Sequence, residues 1–305
     1  MNRGLLLISI SAFLLCSCQH KELCFDHTHK VDIDVRFDWT DYPDAAPKTM
    51  VLQIFRTDGS WYTTEEFVSR EGGRLRIEAG EYKFLFHNGT MSSLVERGNN
   101  YYEYELTTKS QSLLSPMGKA DSQNVPRPEE SEDEPVIDVL EDVWGGSLAG
   151  IHILRGVEGQ SVTLRPVEAT SEYTVEVRDV KNMRDDLDVS AALTGMAQSW
   201  RISDNSLSDM TATIPFGMYR KDETTLEAHF VTFGDAPGHT GKHMLSIYTS
   251  QKDYHHFDVT DQIHNAPDRR RVTLVMEGLE LKEEGGGMSP DISGWEDVVI
   301  DIPMQ

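Results

Sequence analysis

Histidine is the side chain in this sequence best fitted to bind a metal or carry a proton near neutral pH, and its placement is uneven. His27 and His29 are separated by one residue. In an extended segment both rings would face the same side and could share a surface zinc or copper ion. His239 and His243, and the adjacent His255 and His256, fall in the second half. A structural zinc site takes four ligands, and no spacing supplies the missing ones. The histidines are therefore read as solvated, with no metal and no cofactor. Nucleophilic chemistry has no firmer footing. The sequence contains neither a Gly-x-Ser-x-Gly elbow nor a His-Glu-x-x-His pair. Gly145-Gly146 opens no phosphate-binding loop, and Cys24 is out of place for a cysteine protease. Carboxylates are so abundant that a pair of them identifies nothing. No catalytic residue is assigned, and the chain is expected not to be an enzyme.

The cysteines, Cys16, Cys18 and Cys24, crowd the N-terminus. Arg3 precedes an apolar run from Leu5 to Leu15. That run is too short for a bilayer core of about 30 Å, which needs about 20 apolar residues; it suits the apolar region of a secretory signal. It ends in Leu15-Cys16-Ser17-Cys18. Leucine at −3, a small residue at −1 and cysteine at +1 resemble the bacterial lipobox, although Cys16 stands where alanine or serine is usual. The resemblance implies a signal peptide over 1–17, cleavage before Cys18, acylation of Cys18 (palmitate among its chains) and a lipidated tether over 18–30. Each buried methylene contributes about 0.8 kcal/mol, so two or three chains hold a soluble domain on a membrane. Cys16 leaves with the signal and Cys18 carries lipid. Cys24 then has no intrachain partner, and the fold depends on no disulfide.

The 305 residues suffice for two domains, and a net charge of −23 excludes nucleic acid as a partner. Elements read mostly at period two. Val31, Ile33, Val35, Phe37 and Trp39 alternate with Asp32, Asp34, Arg36 and Asp38, the pattern of a half-buried strand. Met50–Arg56 is a second strand, and Asp58-Gly59 is a hairpin turn signal with Trp61–Val68 returning from it. Leu75–Phe86, interrupted by Gly80, reads as another hairpin, and Tyr101–Thr107 as a further strand. Residues 119–135 combine Pro126, Pro128 and Pro135 with Glu129, Glu130, Glu132, Asp133 and Glu134; they read as an exposed loop. Strand patterns resume at 162–167, 173–177, 211–216, 226–233, 244–249 and 272–276. Leu187–Ala197 reads as a short helix or irregular segment. A polar joint near Glu168–Ser171 divides the chain into 31–168 and 169–305. The fold class is all-β: two antiparallel β-sandwiches in tandem.

Several segments also carry a resemblance. They are Leu-Leu-Cys-Ser-Cys at the N-terminus; Leu75-Arg-Ile-Glu-Ala-Gly-Glu-Tyr82-Lys-Phe84; Val162-Thr-Leu164-Arg-Pro followed by Tyr173-Thr-Val175-Glu-Val177; Ala191-Ala-Leu-Thr-Gly195-Met-Ala197; Phe230-Val-Thr-Phe233-Gly234; Phe257-Asp-Val-Thr260-Asp261; and Gly294-Trp295. In order and spacing they resemble the fimbrillin-like pilus lipoproteins of Bacteroides-type bacteria, including the pilus-anchor branch. The resemblance implies two transthyretin-like sandwiches and an outer-membrane lipoprotein that anchors or accompanies pili in assembly and adhesion. Its implied partners are other fimbrillin-like subunits and, through Cys18, the membrane. Arg36 lies within the first strand with no basic loop site after it, which favours an uncleaved anchor or accessory subunit over a shaft pilin. Gln19, His20, Lys21 and Glu22 lack the acidic cluster associated with surface export, so either leaflet stays open.

Two further surfaces are singled out. Val298, Ile300, Ile302 and Met304 form an apolar stripe on an extended C-terminal segment. Such a strand must pair, either with its own sandwich or with a sheet edge of the next subunit; Gly285–Gly287 would allow both. Trp61-Tyr62, Tyr101-Tyr102 and Trp144 could stack on sugar rings. The alternative function is thus a lipid-anchored glycan-binding protein of a polysaccharide-utilisation system, although core packing accounts for the same residues.

Overall fold

The computed structural model describes residues 30–89, 91–119 and 125–283, and the backbone of 296–299. Its first half contains β1 (Lys30–Phe37), β2 (Met50–Arg56), β3 (Trp61–Phe67), β4 (Gly72–Glu78), β5 (Gly80–Asn88), β6 (Leu94–Arg97), β7 (Glu105–Thr108), β8 (Trp144–Ile153), β9 (Ser161–Leu164) and β10 (Val167–Glu168). A small sheet, β4-β1-β9, faces a larger one, β10-β8-β5-β2-β3. Ile33, Val35 and Phe37 of β1 meet Leu52, Phe84 and Phe86 in the core between them. The alternation in β1 dictates this, because every second side chain must leave water. Each such side chain, fully buried, contributes about 1.5–3 kcal/mol.

The second half contains β11 (Ser171–Arg178), β12 (Val189–Ala197), β13 (Ser199–Arg201), β14 (Ser206–Leu207), β15 (Thr211–Gly217), β16 (Tyr219–Arg220), β17 (Leu226–Thr232), β18 (Met244–Thr249), β19 (Asp253–Asp258), a short helix α1 (Thr260–His264), β20 (Arg271–Glu277) and β21 (Glu296–Val299). Sheets β16-β17-β11-β20 and β15-β12-β18-β19-β21 enclose a core around Val175, Leu193, Ile214, Leu245 and Leu274. The protein is all-β, as the alternation requires. The sheets are mixed, however: β1–β9, β11–β20 and β19–β21 run parallel.

A fifth sheet, β14-β13-β7-β6, takes two strands from each half. It covers the back of the larger first-half sheet, where Phe55 and Leu85 pack with Tyr104, Leu106, Trp200 and Phe233. The joint between the halves is correspondingly closed. Glu168 and Ser171 are buried. Arg271 Nη2 lies 2.7 Å from Glu168 Oε1, and Arg270 Nη1 donates to the Thr170 carbonyl at 3.1 Å.

Four local expectations need correction. Leu75–Phe86 is not a hairpin: β4 pairs with β1, and β5 with β2 and β8. A single intervening residue leaves no room for a two-residue hairpin turn, so the chain steps from one sheet to the other with both apolar sets facing one core. Residues 187–197 form no helix; 189–197 are strand β12, buried throughout. Its outer face is covered by Leu113, Leu114 and Met117, and a strand buried on both faces shows no alternation. Residues 101–103 are turn, and the strand begins at Glu105. Residues 125–135 are not a free loop but a strap across the second sandwich. Tyr248 donates to the Pro126 carbonyl at 3.0 Å, Arg127 Nη2 to Thr213 Oγ1 at 2.9 Å, and Thr213 Oγ1 to Glu134 Oε2 at 2.8 Å. Among the described residues, no helix is long and apolar enough to cross a membrane.

Candidate functional site

Protein–protein assembly through β-strands requires an open sheet edge, an apolar groove beside it and a segment able to fill it. The second sandwich has such a place. β15 ends its sheet, and β17 is flanked on that side by the two-residue β16. Residues 135–140 bridge the gap between them, with Ile137 N donating to Thr213 O at 3.1 Å and Leu140 N to Val231 O at 2.9 Å. Beside this bridge opens a cleft of about 600 Å³, lined by Pro116, Val139, Leu140, Pro215, Phe216 and Phe230 among others. Phe216 stacks on Phe230 with ring centroids 4.0 Å apart, and Phe230 on Tyr173 at 5.4 Å. Asp138, Glu172 and His229 stand at its rim. Its lining combines apolar side chains with a few polar and charged ones, the usual composition of a binding cleft.

The C-terminal segment lies on the opposite edge of the same sandwich. Glu296–Val299 runs parallel to β19, placing Val298 opposite His255. Ile300, Ile302 and Met304 lie outside the described residues, as do Cys18, His27 and His29. Where the edge begins, Asp253, only 2% exposed, forms an ion pair with Lys282, Nζ to Oδ1 2.8 Å. This pair fixes the chain as it approaches the tail strand.

The aromatic residues divide. Tyr101 is buried in the core shared by the two halves. Trp144 is half-buried, edge-on to Trp39 and Tyr42 at 6.1 and 4.8 Å. Tyr62 packs against Tyr82 at 5.4 Å, and burial pushes the Tyr82 hydroxyl up to about 12. Of these five candidates, Trp61 and Tyr102, at 51% and 56% exposure, present open ring surface. Both sit by the β2–β3 turn, where Gly59, at φ +89°, has Tyr102 against it. Lys83 Nζ caps the Tyr102 ring at 4.6 Å, a cation–π contact. Trp61 Nε1 donates to Gln53 Oε1 at 3.3 Å, and Gln53 Nε2 donates to Glu96 Oε2 at 3.2 Å. Glu96 in turn lies 3.4 Å from buried His87. Hydrogen bonding from His87 holds the Glu96 carboxyl below its ordinary range, against the opposing effect of burial. Burial, followed by the neighbouring Glu96, raises Tyr104.

Of the remaining histidines, His255 and His256 belong to β19 beside the tail, whereas His243 joins Asp235 and His264 in a separate cluster. Asp235 and His264 have no periodic or motif relation to His243, so no sequence signal selects them.

The family described as "Domain of unknown function (DUF5119)" matches residues 17–217. Solved structures share the architecture. One, a "putative adhesin" from Bacteroides ovatus, is 16% identical with a TM-score of 0.60, over 84% of this chain and 94% of its own. A second "putative adhesin" from Bacteroides ovatus is 10% identical with a TM-score of 0.52, over 85% and 90%. A structure from Bacteroides thetaiotaomicron, described among "putative polysaccharide binding proteins", is 14% identical with a TM-score of 0.50, over 82% and 91%. No curated protein matches the chain. At these identities the likeness establishes a common fold, and the family match covers the first sandwich and runs into the second as far as β15. The chain belongs to the DUF5119 family.

Proposed function

We infer that the mature protein begins at an acylated Cys18, sits on the outer membrane and serves as an anchor or accessory subunit of a fimbrillin-like pilus, without enzymatic activity. The observation that carries this reading is the fold, shared over more than four-fifths of the chain with structures described as adhesins. The fimbrillin-like motif order and the lipobox-like Leu15–Cys18 support it. Two features fit an anchor. β1 is held between β4 and β9 with its apolar face in the core, so the first sandwich keeps its own strand. Residues 296–299 are engaged on the chain's own β19 rather than extended away from it. A neighbouring subunit's extended segment would enter the cleft between β15 and β17, beside the bridge of residues 135–140 and over the base formed by Phe216 and Phe230. The test is deletion of the gene in a pilus-forming host, with complementation by wild type and by Cys18→Ala. Wild type restores surface fibres held on the cell, and Cys18→Ala releases them into the medium. Fibres that stay unchanged in number and attachment after deletion refute the reading.

The exposed rings of Trp61 and Tyr102 favour glycan binding as the second reading. A glycan array in which strong binding disappears in Trp61→Ala would establish it in place of the first.

A further inference from the structure

Asp235 follows β17, His239 and His243 belong to the loop leading into β18, and His264 closes α1. The fold brings these distant residues together at one end of the second sandwich. His243 is fully buried. Its Nδ1 lies 3.0 Å from the Thr194 carbonyl oxygen. A carbonyl only accepts, so Nδ1 carries a proton and Nε2 of the neutral ring presents a bare lone pair. That atom lies 3.1 Å from Asp235 Oδ1 and 3.2 Å from His264 Nε2. The other carboxylate oxygen is 3.8 Å from His264 Nε2. Three potential ligand groups therefore converge on one small space, where a proton or a cation must offset the repulsion of their lone pairs. Asp235 Oδ1 is buried and makes no hydrogen bond among the described residues.

The separations have the scale of a coordination shell. Ligand atoms about 2.0–2.1 Å from a tetrahedral zinc ion stand about 3.3–3.4 Å apart; His243 Nε2 is 3.1 Å from Asp235 Oδ1 and 3.2 Å from His264 Nε2, and one ligand atom from each of the three residues lies within 4.8 Å of the others. The backbone makes room for it. β12 shifts register between Leu193 and Met196. Gly195 lies within that irregularity at φ +79°, and a Cβ on it would come within 2.5 Å of His243 Nδ1 and 2.8 Å of His239 Nε2. Only glycine combines that backbone conformation with that clearance. The contact from Nδ1 to a carbonyl is also how a ligating imidazole is ordinarily oriented.

We propose that Asp235, His243 and His264 bind a zinc-like divalent transition-metal ion, which clamps the loop at 234–243 and α1 onto the irregular turn of β12. Two imidazoles and one carboxylate suit zinc, nickel or cobalt; calcium and magnesium prefer oxygen-only shells. The full mature chain, stripped with chelator, is titrated with zinc by calorimetry and with cobalt by visible absorption, whose d–d bands report tetrahedral binding. One ion per chain is expected, with a melting temperature raised by about 5 °C at saturating zinc. His264→Ala and Asp235→Asn, each verified as folded in chelator by circular dichroism, should weaken binding by at least ~10-fold. His152→Ala, an exposed histidine on β8, should bind like wild type. Absence of saturable zinc binding and of tetrahedral cobalt bands in the wild type overturns the proposal. Unchanged binding in both variants also overturns it, because the ion would then bind elsewhere.

Discussion

Trp200→Ala tests whether the two sandwiches are one folding unit. The indole is buried in the core that joins β5, β7 and β13, and its Nε1 donates to Asn205 Oδ1 at 2.9 Å. A buried tryptophan removes about 200 Å² from water, and at ~25 cal/mol/Å² that contributes about 5 kcal/mol. Tryptophan-to-alanine changes in cores cost about 3–5 kcal/mol once the residual cavity and partial collapse are included. The expected loss is therefore about 4 kcal/mol. With an m-value of about 3 kcal/mol/M in urea, the midpoint falls by a little over ~1 M. Because the indole touches both halves, the loss should also uncouple them. In wild type, hydrogen exchange monitored on peptides from β2 and from β18 should open at one urea concentration; in Trp200→Ala the two should separate. A loss below about 1 kcal/mol, or coincident opening in the variant, would show that Trp200 is not what couples the two halves.

Three further outcomes follow from particular contacts. Lys282→Ala leaves the Asp253 carboxylate buried without its cation, so stability should fall by about 2–4 kcal/mol, read by urea titration; Lys282→Arg should recover part of it. Gly145→Ala would put a Cβ 2.3 Å from the Phe86 carbonyl oxygen, parting β5 from β8, and the expected result is insoluble protein on expression, whereas Gly150→Ala, at φ +70° with nothing near it, should stay soluble with only a modest backbone cost. The Glu96 carboxyl titrates below its ordinary 4.5 in the folded state, chiefly through His87. Its stabilising contribution is therefore full above the unfolded value and is lost as pH falls through the folded one. Glu96→Gln should be less stable than wild type at pH 6–7 and converge with it as pH falls through the folded carboxyl's lowered range, and a gap independent of pH would contradict that assignment.

Half-buried strands were legible because their chemistry alternates. β1 and β4 show it over their whole length and β5 at Tyr82, Phe84 and Phe86, and all three carry that apolar face into one core, whereas Leu85 of β5 turns to the core shared by the halves. What alternation does not encode is the partner. The runs around Leu75 and Tyr82 look like the two arms of a hairpin, yet they belong to facing sheets. β12 was obscured for a different reason: the 113–117 segment covers its outer face, removing the need for polar side chains there. The strap at 125–135 has the composition of disorder, and its order comes from a few long-range contacts of Arg127 and Glu134. The groove at Phe216 and Phe230, and the cluster at Asp235, His243 and His264, bring together residues far apart in sequence and carry no spacing signal.

The placement of β1 has a mechanical consequence. Lys30 to Arg36 pairs antiparallel with β4, and Asp34 to Phe37 pairs parallel with β9. A load applied at residue 30 along the strand axis would act across both ladders in shear, so their hydrogen bonds must fail together rather than open one after another like a zipper. The same slippage would drag Ile33, Val35 and Phe37 out of their sites against β2 and β5. Resistance to such a pull is governed by the rate of forced unfolding rather than by equilibrium stability. A chain tethered by its N-terminus and loaded through its far end would therefore meet its strongest mechanical element first.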